Sequence, residues 1–309
     1  MTPQTWPSAT VVILTYNGDR YLRDILSAVR SQRYAGLVEV LIIDSGSVDG
    51  TVGIIEQHDW VRLIEIPNAE FGHGRTRNLG VAEAQGELVV MLTHDAVPAH
   101  DRWLAELVRP LADDARIAAV VGKQVARAGA PPAVRYDIRR AFERLGPDTA
   151  VSVTWETDWP TTVAEVASRA FFSDANAALR RAVVADEVPY RDVDYAEDQL
   201  LARDLIAAGY RIAYAPRGTV VHSNDATLQS FGDRVEADLL GLRRIGTDFP
   251  PVSRAAAFRQ WLKFSAWDAV MIATDRELTF GQKLRWSFVN PWYQAARWRA
   301  LRRGSLGLL

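Results

Sequence analysis

Thr10-Val-Val-Ile-Leu14, closed by Thr15-Tyr16-Asn17-Gly18, is the stretch that decides the fold. A short β-branched, apolar run that stops at a turn predicts a strand buried on both faces. Leu22, Ile25, Leu26 and Val29 then recur at helical spacing. Val38 to Ile43 predicts a second buried strand, which stops at Asp44-Ser45-Gly46, and Asp49 is a good cap for the helix that carries Ile54 and Ile55. Arg62 to Ile66 is a shorter strand. A helix over about 75–85, closing on Gly86, precedes a third strong strand, Leu88 to Leu92. This alternation predicts right-handed crossovers and a mainly parallel sheet flanked by helices, an α/β fold of Rossmann-like type. Ligands of such sheets sit at the carboxyl ends of the strands. Three polar clusters fall there: Thr15-Tyr16-Asn17, Asp44-Ser45 and Thr93-His94-Asp95.

Further on, a helix is expected near 102–111 and a strand over 118–121. From Lys123 to about Thr162, Pro131, Pro132, Gly146, Pro147 and Pro160 predict a mobile loop with a short helix. Order returns over 169–178. A helix from about 195 to 208 stops at Gly209, and strands over 211–214 and 219–222 finish the core. The expected division is a main α/β domain over 1–250 and a basic, tryptophan-rich helical extension over 251–309.

Composition narrows the function. Of 309 residues 48% are hydrophobic and 24% charged, which excludes a disordered or fibrous chain. A net charge of −2 argues against a nucleic-acid binder. There is no cysteine, so any metal must use oxygen and imidazole ligands. Neither a secretory leader nor an apolar run of about 20 residues is present, and the expected compartment is the cytoplasm.

Asp95 follows an apolar strand, so its carboxylate is presented at a strand end, where one acid can hold a cation that bridges two phosphates. A turn carboxylate is the equal alternative. Glu197-Asp198 opens a helix striped by Leu200, Leu201, Leu205 and Ile206. Acids there match the helix dipole, which suffices for Glu197, while Asp198 could act as a general base. His222 ends a strand and reads equally as a ligand or as a hydrogen-bonded residue. Phe71-Gly72-His73-Gly74-Arg75-Thr76-Arg77-Asn78 gathers glycines, two arginines and a helix start, which suits a diphosphate, although the spacing is neither a dinucleotide nor a P-loop fingerprint. Asp44 could accept from a nucleobase or ribose, or cap a turn.

Taken together, TYN at 15–17, DSGSVDGT at 44–51, HGRTRNLG at 73–80, HDA at 94–96 and EDQ at 197–199 resemble the inverting glycosyltransferases of family 2, which have the GT-A fold; the resemblance covers roughly 10–223. It implies nucleotide-sugar contacts at Thr15, Tyr16, Asn17, Asp44, Ser45, Arg75, Arg77, Asn78, Thr93 and His94. It also implies Mg²⁺ or Mn²⁺ at Asp95 with His222 completing the shell, and Asp198 as catalytic base. The family's usual aspartate-x-aspartate motif appears here as Thr93-His94-Asp95, without its first acid. FGHGRTRN, LTHDAVP and FFSDANAALRR are closest to bacterial rhamnosyltransferases of the family. That resemblance implies dTDP-β-L-rhamnose as donor and a glycan or lipid-linked acceptor, with Phe172, Ser173, Asp174, Asn176 and Glu197 on the acceptor side. A UDP- or GDP-sugar donor, or a non-catalytic nucleotide-sugar-binding module, is the alternative.

From Arg254 onward ten Lys or Arg face three acids, and five of the ten tryptophans lie here. Phe258, Trp261, Leu262 and Ile272 are expected on one helical face, and Asn290-Pro291 reads as the start of a last helix. Basic helices with interfacial aromatics fit peripheral contact with the inner face of the cell membrane. Packing on the catalytic domain or a homodimer interface fits equally.

Overall fold

The computed structural model describes residues 6–154, 171–193, 195–223, 227–247 and 249–307. It divides into two compact units, Met1–Val125 with Phe142–His222, and Ala126–Ala141 with Ser223–Leu309.

The first unit is a sheet flanked by helices. Its strands are β1 (Ala9–Thr15), β2 (Val38–Asp44), β3 (Val61–Glu65), β4 (Leu88–Thr93), β5 (Val97–Pro98), β6 (Ile117–Val125), β7 (Ser152–Thr154), β8 (Asn176–Arg180) and β9 (Arg211–Val221). Helices α1 (Asp19–Arg30), α2 (Thr51–Ile55), α3 (His73–Glu83) and α4 (Trp103–Asp113) come first; α5 (Pro132–Glu143) straddles the boundary between the units, and α6 (Arg181–Asp186) and α7 (Glu197–Ala207) follow. The strand order is β3-β2-β1-β4-β8-β6-β9-β5, with β7 on β9. β1, β2, β3 and β4 are mutually parallel, as the alternating pattern requires, and β6 runs parallel to β9. β8 is antiparallel to both its neighbours. Val11, Val12, Ile13, Leu41, Ile42, Val89 and Val90 are fully buried, covered on both faces as parallel strands are. Leu22, Ile25 and Leu26 of α1 complete that core, each worth about 1.5–3 kcal/mol of transfer free energy.

The register brings the motifs to one edge. Thr15 pairs with Asp44 and Leu14 with Thr93, so three strand ends stop at the same level. Being antiparallel, β8 starts where β4 ends, with Asn176 opposite Leu92, and this carries the 172–176 segment to the same edge. Val125 and Val221 pair at the ends of β6 and β9, which places Gln124 and His222 there as well.

Three local expectations change. Strands expected over 211–214 and 219–222 are one strand, β9. Pro216-Arg217-Gly218 looks like a turn in sequence, but a break in the register with β6 between Gly122 and Gln124 absorbs those residues. Gly86 does not cap α3, which ends at Glu83; it is there because a Cβ would lie 2.6 Å from the Thr10 nitrogen and 2.7 Å from the Ala9 carbonyl carbon. Within Lys123–Thr162, the structure holds α5 and β7, while 155–162 lie outside the described residues.

The second unit is helical: α8 (Leu228–Arg244), α9 (Arg254–Thr274) and α10 (Phe280–Ser305), with part of α5. α10 runs straight through Asn290-Pro291 rather than starting there. A proline inside a helix costs about 3 kcal/mol, and tertiary bonds offset it here. Asn290 donates to Asp268 and accepts from the Ala133 N–H, and the Trp261 indole donates to the Pro291 carbonyl.

Replacement of Gly86 by Ala should destabilise the protein by about 1–3 kcal/mol, since backbone rather than a movable side chain blocks the methyl. Gly53→Ala, where nothing lies within 4 Å, should not. Chemical denaturation of the two variants checks this.

Candidate functional site

The first-strand turn is knitted to the second. The Thr15 hydroxyl and the Ser47 hydroxyl donate to Asp44 Oδ2, and the N–H groups of Gly46 and Ser47 donate to Oδ1. Asp44 is 0% exposed, so its lone pairs are spent on the turn and none is left for a nucleobase or ribose; its second sequence reading, a turn cap, is the one the structure shows. Ser45 donates to the Thr15 carbonyl, and Asn17, at φ +49°, accepts from the Val48 N–H. Thr15, Ser45 and Asp44 are thus buried scaffold, while Tyr16, 46% exposed, is the face of this turn that a planar ring could stack on.

Beside it, His222 Nε2 lies 3.3 Å from Asp95 Oδ2. On its other side, His222 Nδ1 is 2.8 Å from Gln124 Oε1, and the Gln124 amide donates to Ser173 Oγ at 3.0 Å. Gln124 Oε1 fixes the ring so that Nε2 faces the carboxylate, and an imidazole nitrogen beside a carboxylate oxygen is a pair that a cation could share. Burial works to raise the Asp95 carboxyl, but the hydrogen bond and charge of His222, then Thr93 and His94, outweigh it and hold the group well below the usual carboxylate range. An oxygen and an imidazole fit Mg²⁺ or Mn²⁺, although no group of three or more acids and histidines that could hold an ion occurs among the described residues. An ion held there would need diphosphate oxygens and water to complete its shell. His94 lies against Gly18, where a Cβ would be 3.1 Å from its ring, and its Nδ1 is 3.3 Å from the Leu14 carbonyl.

A third cluster is electrostatic. Arg77, 7% exposed, pairs with Asp174 at 2.8 Å and with Glu197 at 2.5 Å. Tyr190 donates to Asp174, and Asn78 brackets the Tyr190 backbone by accepting from its N–H and donating to its carbonyl. Asp198 follows Glu197 in the first turn of α7, just after Ala196, which holds a left-handed φ of +58°. Close packing first, then the charges of Asp174 and Glu197, push the Asp198 carboxyl up to about 8, and Arg77 only partly counters them. Burial likewise raises Asp174. Asp198 itself keeps a solvent-accessible edge.

Several expected contacts are therefore corrected. Arg77 cannot clamp a diphosphate, because its guanidinium is committed to two buried carboxylates. Arg75, about half exposed and 3.6 Å from Asp192, remains available. Phe172 and Asn176 cannot touch an acceptor, since both are 0% exposed. Asn176 instead donates to the carbonyls of Lys123 and Gly218 and accepts from the Trp103 indole, tying β8 to β6, β9 and α4. Asp174 and Glu197 are interior too and act on Asp198 rather than on an acceptor. Sequence reasoning missed Gln124 and Tyr190, whose roles come from partners 98 and 16 residues away.

Residues 10–184 match the profile described as Glycosyl transferase family 2, more than half of the chain. The chain belongs to glycosyltransferase family 2. This glycosyltransferase is 30% identical over 233 residues to the O-antigen chain rhamnosyltransferase RfbN of Salmonella typhimurium, covering 71% of this chain and 67% of that one. It is 32% identical over 225 residues to the O-antigen chain rhamnosyltransferase WbaN of Salmonella anatum, covering 72% and 68%. Among solved structures it superposes on the mannosyltransferase PcManGT from Pyrobaculum calidifontis, in complex with GDP-Man and Mn²⁺, with a TM-score of 0.58 at 20% identity, covering 98% and 89%. TarS from S. aureus in complex with UDP gives 0.54 at 14%, covering 97% and 91%. These two share the GT-A fold.

Two outcomes are expected of this glycosyltransferase. In Asp198→Asn the carboxyl no longer needs a proton to fold. Because the folded group titrates above its unfolded value, its contribution to stability is full below about pH 4 and fades as pH rises through about 8. The variant should therefore be more stable than the parent by about 1–2 kcal/mol at pH 8, with the gap closing toward pH 4; solvent access at Asp198 keeps the figure this small. Thermal melts across that range read it. Gln124→Leu, which frees His222 to rotate, should weaken Mn²⁺ binding about tenfold or more in calorimetric titration with nucleoside diphosphate present.

Proposed function

We propose that this glycosyltransferase is an inverting, metal-dependent rhamnosyltransferase that moves L-rhamnose from dTDP-β-L-rhamnose to a hydroxyl of a glycan or lipid-linked acceptor. The observation that carries the reading is Asp198, a carboxylate pushed toward neutral pH yet solvent-accessible on one side, at the carboxyl edge of the sheet. A base must take a proton from a weakly acidic hydroxyl, and a carboxyl titrating near the working pH does so best. Likeness to two proteins named rhamnosyltransferases supports the sugar. A UDP- or GDP-sugar donor is the competing reading, favoured by the ligands of solved structures that share the fold.

The chemistry is one displacement. Asp198 accepts the acceptor's proton, the freed oxygen bonds to the anomeric carbon, and the bond from that carbon to the diphosphate oxygen breaks. Attack from the face opposite the leaving group turns a β donor into an α-linked product. Asp95 and His222 would hold the divalent cation, which would offset charge developing on the departing diphosphate. Arg75 adds a cation at the same strand ends. Arg77 keeps Glu197 and Asp174 in place, and through them the basicity of Asp198. Tyr16 offers the nucleobase a stacking surface.

Assayed against dTDP-, UDP- and GDP-sugars, the protein should turn over dTDP-rhamnose in preference, give an α-linked product by NMR, and gain kcat/KM with pH up to about 8. Asp198→Asn should lose about 10²–10⁴-fold in kcat with donor binding retained. A preference for another nucleotide sugar overturns the donor; normal turnover by the Asn variant overturns the base.

A further inference from the structure

The helical unit carries a second feature that sugar transfer does not use. On α9, Phe258, Leu262, Ala266 and Val270 recur every fourth residue, and on α10 so do Phe280, Leu284, Phe288 and Trp292. The large members are exposed: Phe258 58%, Leu262 48%, Val270 63%, Phe280 83%, Leu284 54%, Phe288 72% and Trp292 60%. A soluble helix buries such a row and turns its charges outward; these two expose both the row and the charges. Their acid, Asp268, is 0% exposed and receives hydrogen bonds from Asn290 and Gln294. The face expected to hold Phe258, Trp261, Leu262 and Ile272 together is thereby split, since Ile272 is buried and Phe258 and Leu262 point away from the core.

The two rows share one side. Trp261 bonds Pro291, Asp268 bonds Asn290 and Gln294, and Lys283 bonds the Ala273 carbonyl, so α9 and α10 form an antiparallel hairpin. On each helix the apolar row stands roughly a quarter turn beyond the residues that face the partner helix, in the same rotational sense. Reversing one helix then brings both rows to the same side of the hairpin. Arg259, Lys263, Arg285 and Arg299 flank the rows, all exposed. The acids of the connecting turn, Asp275 and Glu277, are both paired with Arg135.

We propose that this side of the hairpin is a docking surface for an anionic lipid leaflet. Charge decides the occupant. A two-fold contact between copies would press this patch against itself, arginine and lysine against arginine and lysine, with no exposed acid on either helix to relieve it. An anionic headgroup layer complements the same cations, while the aromatic rows enter the boundary below it. No helix of the described residues is long and apolar enough to cross a membrane, so the hairpin lies on the surface rather than spanning it. The inference does not depend on the identity of the sugar.

Flotation of the full chain with phosphatidylglycerol-containing vesicles and with pure phosphatidylcholine vesicles tests it. Binding to the anionic vesicles should exceed binding to the neutral ones by about tenfold or more and weaken with salt. The variant carrying Phe280→Ser, Phe288→Ser and Trp292→Ser should lose it. So should the variant carrying Arg259→Glu, Lys263→Glu, Arg285→Glu and Arg299→Glu, which changes only exposed side chains and stays decisive where the first fails to fold. Equal partition onto both vesicles, retention by the charge-reversed variant, or a dimer in light scattering that the serine variant splits would overturn the proposal.

Discussion

A single buried guanidinium organises the catalytic unit. Arg77 reaches from α3 to Asp174, just before β8, and to Glu197, at the start of α7. Three segments distant in sequence are thereby pinned at the carboxyl edge of the sheet. Taking three charged groups out of water is expensive, and replacing such a set with apolar residues is often neutral or stabilising in proteins where it has only a structural task. Here the arrangement leaves two acids for one base and crowds a third carboxylate, Asp198, beside them. Burial, and after it the excess negative charge, lifts Asp198 toward neutrality. The left-handed Ala196 just before α7 adds local backbone strain at the same place.

The cluster of Asp95 and His222 follows a different logic. Asp95 is held charged by its neighbours rather than pushed toward protonation, and His222 is oriented by Gln124 and, through it, by Ser173. Two carboxylates at one sheet edge thus differ in environment, one kept ionised and one pushed toward protonation. Ser173 belongs to the segment that also supplies Asp174, so the same short stretch before β8 supports both. That coupling depends on β8 being antiparallel and starting at the ligand edge.

What the sequence determined by itself is the scaffold. Apolar runs at 10–14, 40–43 and 88–92, separated by one amphipathic helix or more, leave few solutions besides a parallel sheet, because such runs must be covered on both faces. The polar turns that end them had to fall at one edge, and the motif set was enough to name family 2. Asp95, His222 and Asp198 were legible as strand-end or helix-start polar residues for the same local reason.

Tertiary structure alone decided which polar groups are free. Asp44 and Arg77 look like ligand contacts in sequence, and both are consumed by neighbours that the sheet register and a long-range ion pair supply. Asn176 becomes a strap across β6, β9 and α4, and Gln124 becomes the partner of a histidine 98 residues away. Pro291 sits inside a helix because Asn290 and Trp261 find partners that no local propensity reports. Hydrophobic periodicity is local and can be read from the chain; hydrogen-bond satisfaction and charge pairing are properties of neighbours, and neighbours exist only once the chain has folded.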